Sequence, residues 1–188
     1  NMKFAEKTIK LEKLIEAKSD LETVIRMNII KKNNLLFSKE YDVDKIREID
    51  DDITTIDEQL IEVKLSIQQA NTNEQHEDGN TNNYYIYKLS SLNRKLASLR
   101  ELEQKGENNL LLYDKTSVKG KFGNYNSKIR ERLTTKKEIE KRLKEIATSI
   151  AELEKSIADI KIKLSDFNNR VEIKVKVFEG FGELKNLK

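Results

Sequence analysis

From Ile139 to Val171, apolar side chains recur in alternating steps of four and three without a break. Ile139, Ile146, Leu153, Ile160 and Phe167 form one column, and Leu143, Ile150, Ile157, Leu164 and Val171 form the other. This heptad spacing keeps one narrow stripe of a helix turned toward a partner helix along its length. A second ladder runs through Ile46, Ile49, Ile53, Ile56, Leu60, Val63, Ile67 and Ala70. Two such seams predict an all-α protein, an elongated set of antiparallel coiled-coil helical hairpins or a bundle. The seam residues specify helix or oligomer packing and name no reaction.

Composition fits extended helices better than a compact globule. Of the 188 residues 37% are hydrophobic and 37% charged, against about 25% charged in an average globular domain. A rod has much surface for little core, so the charge surplus follows from the shape. Low hydrophobicity with much charge also marks disorder, but a disordered chain has no reason to space leucine and isoleucine by sevens. There is no proline to break a helix.

The net charge of +3 is too small to imply a nucleic-acid or membrane partner. Without cysteine there is no disulfide, thiolate nucleophile or zinc–cysteine site. No apolar run is long enough for a membrane span, and the first residues lack the apolar core of a signal peptide. The expectation is a cytoplasmic protein.

Residues 1–70 form a first helical hairpin, with helix one from Lys3 to Phe37 and Leu35-Leu36-Phe37 folding back over its end. Asp42 is the expected N-cap of helix two. Residues 71–83, a polar run containing Asp78-Gly79, are expected to be a mobile loop. Residues 84–170 form a second hairpin. Its third helix carries Tyr85, Leu89, Leu92, Leu96, Leu99 and Leu102 on one face and ends at Gly106, and residues 107–125 follow as an irregular or β insertion. At ~1.5 Å per residue, a fourth helix of about 42 residues spans roughly 63 Å. A third helix half that length cannot cover its seam, so helix one, helix two or a second copy must. Residues 171–188 form a tail whose first part, Val171, Ile173, Val175 and Val177 alternating with charges, is a small β element. It is expected to pair with residues 107–125 or with another chain.

Catalytic, cofactor and metal readings find little footing. His76 is the only histidine and sits in the polar run, with no rigid surroundings to orient it. Asp50, Asp51 and Asp52 point about 100° apart on a helix and cannot converge on one ion. Gly120 and Gly123 lack the lysine and strand–helix context of a phosphate loop. Tyr84, Tyr85 and Tyr87 suit a helix start with one wet edge better than a stacking site. No enzyme, cofactor or metal is expected.

Charge is distributed unevenly. Between 128 and 144 lie eight basic residues (Lys128, Arg130, Arg132, Lys136, Lys137, Lys141, Arg142 and Lys144) and three acidic ones. Between 39 and 62 there are ten acidic and three basic residues. These are either two solvated faces or two segments that face one another, within or between chains, and set register. Nucleic acid ranks third as a partner of the basic face, because glutamates interrupt it and no aromatic residues interleave it.

The order Ile67-Gln68-Gln69-Ala70-Asn71-Thr72-Asn73, then Asp78-Gly79, then Leu96-Ala97-Ser98-Leu99-Arg100-Glu101-Leu102, then Leu164 to Ile173 resembles a family of small helical bacterial proteins, some labelled septicolysin-like. The resemblance spans residues 3–173. It departs from the family in lacking an aromatic residue after the final asparagine and in carrying extra chain from Lys174. It implies an all-helical coiled-coil protein without assigned catalysis. The family label hints at lysis, yet the chain has no long apolar amphipathic segment to insert. The functional expectation is a non-catalytic scaffold or adaptor that forms a homo-oligomer and binds protein partners. A nucleic-acid-binding module is the alternative, and a pore-forming protein the remote one.

Overall fold

A computed structural model describes residues 3–39, 41–115, 125–182, 184, 186 and 187, with the backbone alone for 112–115 and 125–134. The elements are β1 (Phe4–Lys10), α1 (Leu11–Leu36), α2 (Val43–Asn73), α3 (Asn82–Lys115), α4 (Tyr125–Arg170) and β2 (Glu172–Phe178). The protein is therefore mostly helical, with a two-stranded antiparallel sheet made from the beginning and end of this order. The chain divides into two compact units: residues up to Tyr85 together with those from Lys163 onward, and residues Ile86–Ile162.

In the first unit, β1 and β2 pair with Phe4 opposite Phe178, Lys7 opposite Val175 and Ile9 opposite Ile173. Alternation sends Ile9, Val175 and Val177 to one face, where they join Leu14, Ala17 and Leu21 of α1, Leu60 and Val63 of α2, and Leu187. The opposite face carries Phe4 and Phe178, whose rings meet edge to face at 6.4 Å. Gln59 of α2 is wholly buried and pairs the free edge of β2. Its Nε2 donates to the Lys176 carbonyl at 3.0 Å, and its Oε1 accepts from the Phe178 N–H at 2.8 Å. A helix side chain thus replaces a neighbouring strand and satisfies backbone groups that burial would otherwise orphan.

Helix α2 starts where the sequence indicates. Asp42 Oδ1 accepts from the N–H groups of Asp44 (3.0 Å) and Lys45 (3.2 Å); the Lys45 N–H above all holds this carboxyl below its usual range. The antiparallel α1–α2 pair is flanked by Lys32–Asp50 at 2.5 Å and Lys64–Glu22 at 3.1 Å.

In the second unit α3 and α4 are antiparallel. Arg100 Nη2 meets Glu154 Oε1 at 2.6 Å, while Gly106 lies against Leu143. Burial follows a four–three rhythm on both helices: Leu89, Leu92, Leu96, Leu99, Glu103, Gly106 and Leu110 on α3, and Ile139, Leu143, Ile146, Ile150, Leu153, Ile157 and Ile160 on α4.

Several expectations are corrected. Residues 4–10 are strand, not the start of helix one; charged residues on both faces hide the alternation. The partner of β2 is β1, not residues 107–125. The chain does not leave the helix at Gly106, because α3 runs on to Lys115. A Cβ at Gly106 would stand 2.6 Å from Leu143 Cδ2, so the glycine marks a close approach of helices. Residues 107–115 are helix rather than an irregular or β insertion, and 116–124 lie outside the described residues. With 34 residues, α3 is long enough to cover the α4 seam within its own unit. Phe167 and Val171 are covered by Leu11 and Ala70 of the same chain. The α4 seam therefore calls for no second copy to cover it. Phe37 does not fold back; it is 92% exposed.

Candidate functional site

The run 71–83 is an ordered joint rather than a mobile loop. Asn71–Asn73 complete α2, Asn82 and Asn83 open α3, and Gln75 and Thr81 form an antiparallel bridge. The His76 N–H donates to the Asn80 carbonyl and the Gly79 N–H to the His76 carbonyl, both at 2.9 Å. Gly79 has φ +80°, a left-handed conformation that glycine adopts without steric cost and that closes a three-residue hairpin loop. Thr81 caps α3, its Oγ1 accepting from the Tyr84 N–H at 3.4 Å.

Side chains tie this turn to the end of α2, the start of α3 and the last turns of α4. His76 stacks on Phe167 with ring centroids 4.6 Å apart and meets Tyr85 edge to face at 4.7 Å. The buried Asn82 donates through Nδ2 to Asn71 Oδ1 at 2.8 Å. Its Oδ1 faces His76 Nε2 at 3.0 Å. Asn82 Oδ1 can only accept, so Nε2 carries the proton. Asp78 Oδ2 accepts from the Tyr85 hydroxyl and from Lys163 Nζ at 2.9 Å; Lys163 also donates to the Tyr85 oxygen at 3.0 Å. Tyr85 first, then Lys163, holds the Asp78 carboxyl well below the usual carboxylate range. Tyr85 and Asp78 hold the Lys163 ammonium above the usual lysine range.

Beside this cluster lies a cleft of about 340 Å³ lined by His76, Glu77, Asp78, Lys163, Asp166 and Arg170 over Phe167. Asp78, Tyr85 and Lys163 direct their polar atoms at one another. Among the described residues no cluster of three or more histidine, aspartate or glutamate side chains can hold a metal ion. Reading the sequence alone missed this constellation, because Asp78, Tyr85 and Lys163 come together only through folding. The detectable signal was the Asp-Gly turn ahead of a tyrosine-rich helix start.

The predicted seam residues lie inside the chain. Ile49, Leu60 and Val63 are buried, with Ile46, Ile53, Ile56 and Ile67 half-buried. On α4, Ile150, Ile157, Ile160 and Phe167 are buried, with Ile139, Leu143, Ile146, Leu153 and Leu164 half-buried. In the basic face, Lys137, Lys141, Arg142 and Lys144 are exposed and Lys136 half-buried; the side chains of Lys128, Arg130 and Arg132 lie outside the described residues.

The surface that stands out belongs to the last turns of α1 and the start of α2. Val24, Met27, Ile29, Ile30 and Leu36 are exposed by 43%, 64%, 44%, 53% and 38%. Val24, Met27 and Ile30 turn away from the side carrying Leu21 and Ile25 that packs in the core, and Ile29 and Leu36 border that side. Arg26, Lys31 and Asn34 interrupt this apolar surface without covering it. A groove lined by Met27, Ile30, Lys31, Asn34, Leu35 and Ser38 runs along it.

Comparison with protein-family models, with curated proteins and with solved structures finds no match to this chain.

Proposed function

We propose that the chain is a non-catalytic scaffold or adaptor. Its two hairpins act as short antiparallel coiled coils, and it self-associates and binds protein partners through the apolar end of the α1–α2 hairpin. The observation that carries this reading is the exposure of Met27, Ile30 and Phe37 on a helix end with a single covering neighbour. Contiguous apolar surface of this kind marks interaction sites in stable proteins. The mutual satisfaction of Asp78, Tyr85 and Lys163 supports a binding rather than a catalytic role, and a cysteine-free chain suits the cytoplasm.

The test is the solution mass by light scattering over a range of concentrations. The wild type is expected above the 21.9 kDa of one chain, and Met27→Glu/Ile30→Glu is expected to bring it back toward that value with helicity unchanged. A wild type that stays monomeric at every concentration overturns self-association. Among the described residues no helix is long and apolar enough to cross a membrane.

A further inference from the structure

We infer that copies of this chain meet through a charged zipper, with the acidic outer stripe of α2 in one copy seated on the basic outer stripe of α4 in the next. The inference rests on the self-association proposed above and adds to its apolar contact a second, charged one. At 100° per residue, Asp44, Glu48, Asp51, Glu58 and Glu62 share one side of α2. This side is turned roughly 150° away from the seam of Ile49, Leu60 and Val63 that packs on α1. Asp44, Glu48, Asp51 and Glu58 are exposed and Glu62 is half-buried. On α4, Lys137, Lys141 and Lys144 share the side opposite the seam of Leu143, Ile146 and Ile150, and all three are exposed. Among the described residues, the ion pairs of the acidic segment are Asp50 with Lys32, Asp42 with Lys45, and Asp44 with Arg47. Glu48, Asp51, Glu58 and Glu62 thus have no cationic partner there, nor have Lys137, Lys141 and Lys144 an anionic one.

Spacing makes the two stripes fit. Both advance in steps of three and four, so two helices laid side by side keep opposite charges in phase over the two turns from Lys137 to Lys144. Exposed ion pairs alone bind weakly. Ile61 and Leu65, exposed by 48% and 60%, border Glu58 and Glu62 and add apolar contact to the same face. The acidic and basic stripes are different surfaces of one chain, so the contact is head to tail and extends to a ring or a filament. A two-fold pairing of acidic stripe with acidic stripe would be repulsive.

The test is sedimentation velocity on the full chain at low and high salt, with two charge-reversed variants. One is Glu48→Lys/Asp51→Lys/Glu58→Lys and the other Lys137→Glu/Lys141→Glu/Lys144→Glu. Salt is expected to weaken wild-type association. Each variant alone is expected to associate on the order of tenfold more weakly. An equimolar mixture is expected to regain assembly, because the reversed stripes complement each other while the unaltered ones still match. Circular dichroism establishes that both variants remain helical. If both variants assemble like the wild type, or the mixture fails to recover, the zipper is overturned while self-association stands. A wild type that remains monomeric overturns both. If that monomer binds a short labelled DNA duplex, and the lysine-reversed variant does not, the basic stripe is a nucleic-acid contact and the zipper is likewise overturned.

Discussion

In the unit built from the sheet, α1, α2 and the end of α4, Leu11, Leu14 and Val63 have no exposed surface and Phe167 retains 1%. Between Ile86 and Ile162, Leu143, Ile146 and Leu153 keep the same apolar character at the same heptad spacing and yet stay half-exposed, while Ile150, Ile157 and Ile160 are buried. The difference lies in the neighbours. Leu14 and Val63 join side chains from a second helix and from a strand, whereas Leu143 lies against a glycine, Gly106, of the facing helix. Equal sequence patterns therefore carry unequal stability.

Five substitutions break or sharpen that contrast. Phe167→Ala should cost the most, about 3–5 kcal/mol, read as a lowered urea midpoint. Leu143→Ala in the second unit should cost roughly 1–2 kcal/mol, because its side chain gives up less buried surface. Equal losses would refute the contrast. Gln59→Leu should follow at about 2–3 kcal/mol, since the Lys176 carbonyl and the Phe178 N–H lose their partner together. Hydrogen exchange at the Phe178 amide should accelerate as a local readout.

Gly106→Ala tests the close helix approach by its sign. In the wild type the new methyl meets Leu143 and should destabilise by about 1 kcal/mol. In a Leu143→Ala background the same change should stabilise by ~0.5–1 kcal/mol, the ordinary gain of alanine over glycine within a helix. Denaturation of the four proteins in this cycle gives the coupling directly.

The smallest effect concerns Asp78. Its carboxyl is held below the usual range by Tyr85 and Lys163. Its contribution is thus complete above the unfolded-state carboxylate value and is lost as pH falls through the lower folded-state value. Lys163, raised by Tyr85 and Asp78, contributes fully below the ordinary lysine value and loses that contribution as pH rises through its higher folded-state value. Asp78→Asn should therefore flatten the acid limb of a stability–pH profile. An unchanged limb would show that the contacts of Asp78 carry no stability.

Helices α2 and α4 are legible in the sequence because their apolar positions repeat at a period that only a helix uses, and Asp42 announces the start of α2. Strand β2 is legible by alternation. Strand β1 is not: Ala5, Lys7 and Ile9 form too polar an inward face to register, and Lys7 is tolerated only because its Nζ reaches the Gly182 carbonyl at 3.2 Å. Gly106 misleads because a glycine that ends a helix and a glycine that admits a neighbour look alike in one dimension. The joint at His76 was hidden for a different reason. Short polar residues read as a loop until Phe167 and Tyr85, distant in sequence, supply the walls against which a histidine can stack.

Among the described residues, strand β1 pairs only with β2, from Lys10 opposite Glu172 to Phe4 opposite Phe178. A chain emerging from the ribosome exposes Ile9, Leu14 and Ala17 long before Val175 and Val177 exist to cover them. Because such distant pairings form slowly, Ile9 and the end of α1 beside it wait longer for cover than Leu14 and Ala17, which Leu60 and Val63 of α2 reach first. The birth of this protein is thus the interval in which it most needs a chaperone's shelter.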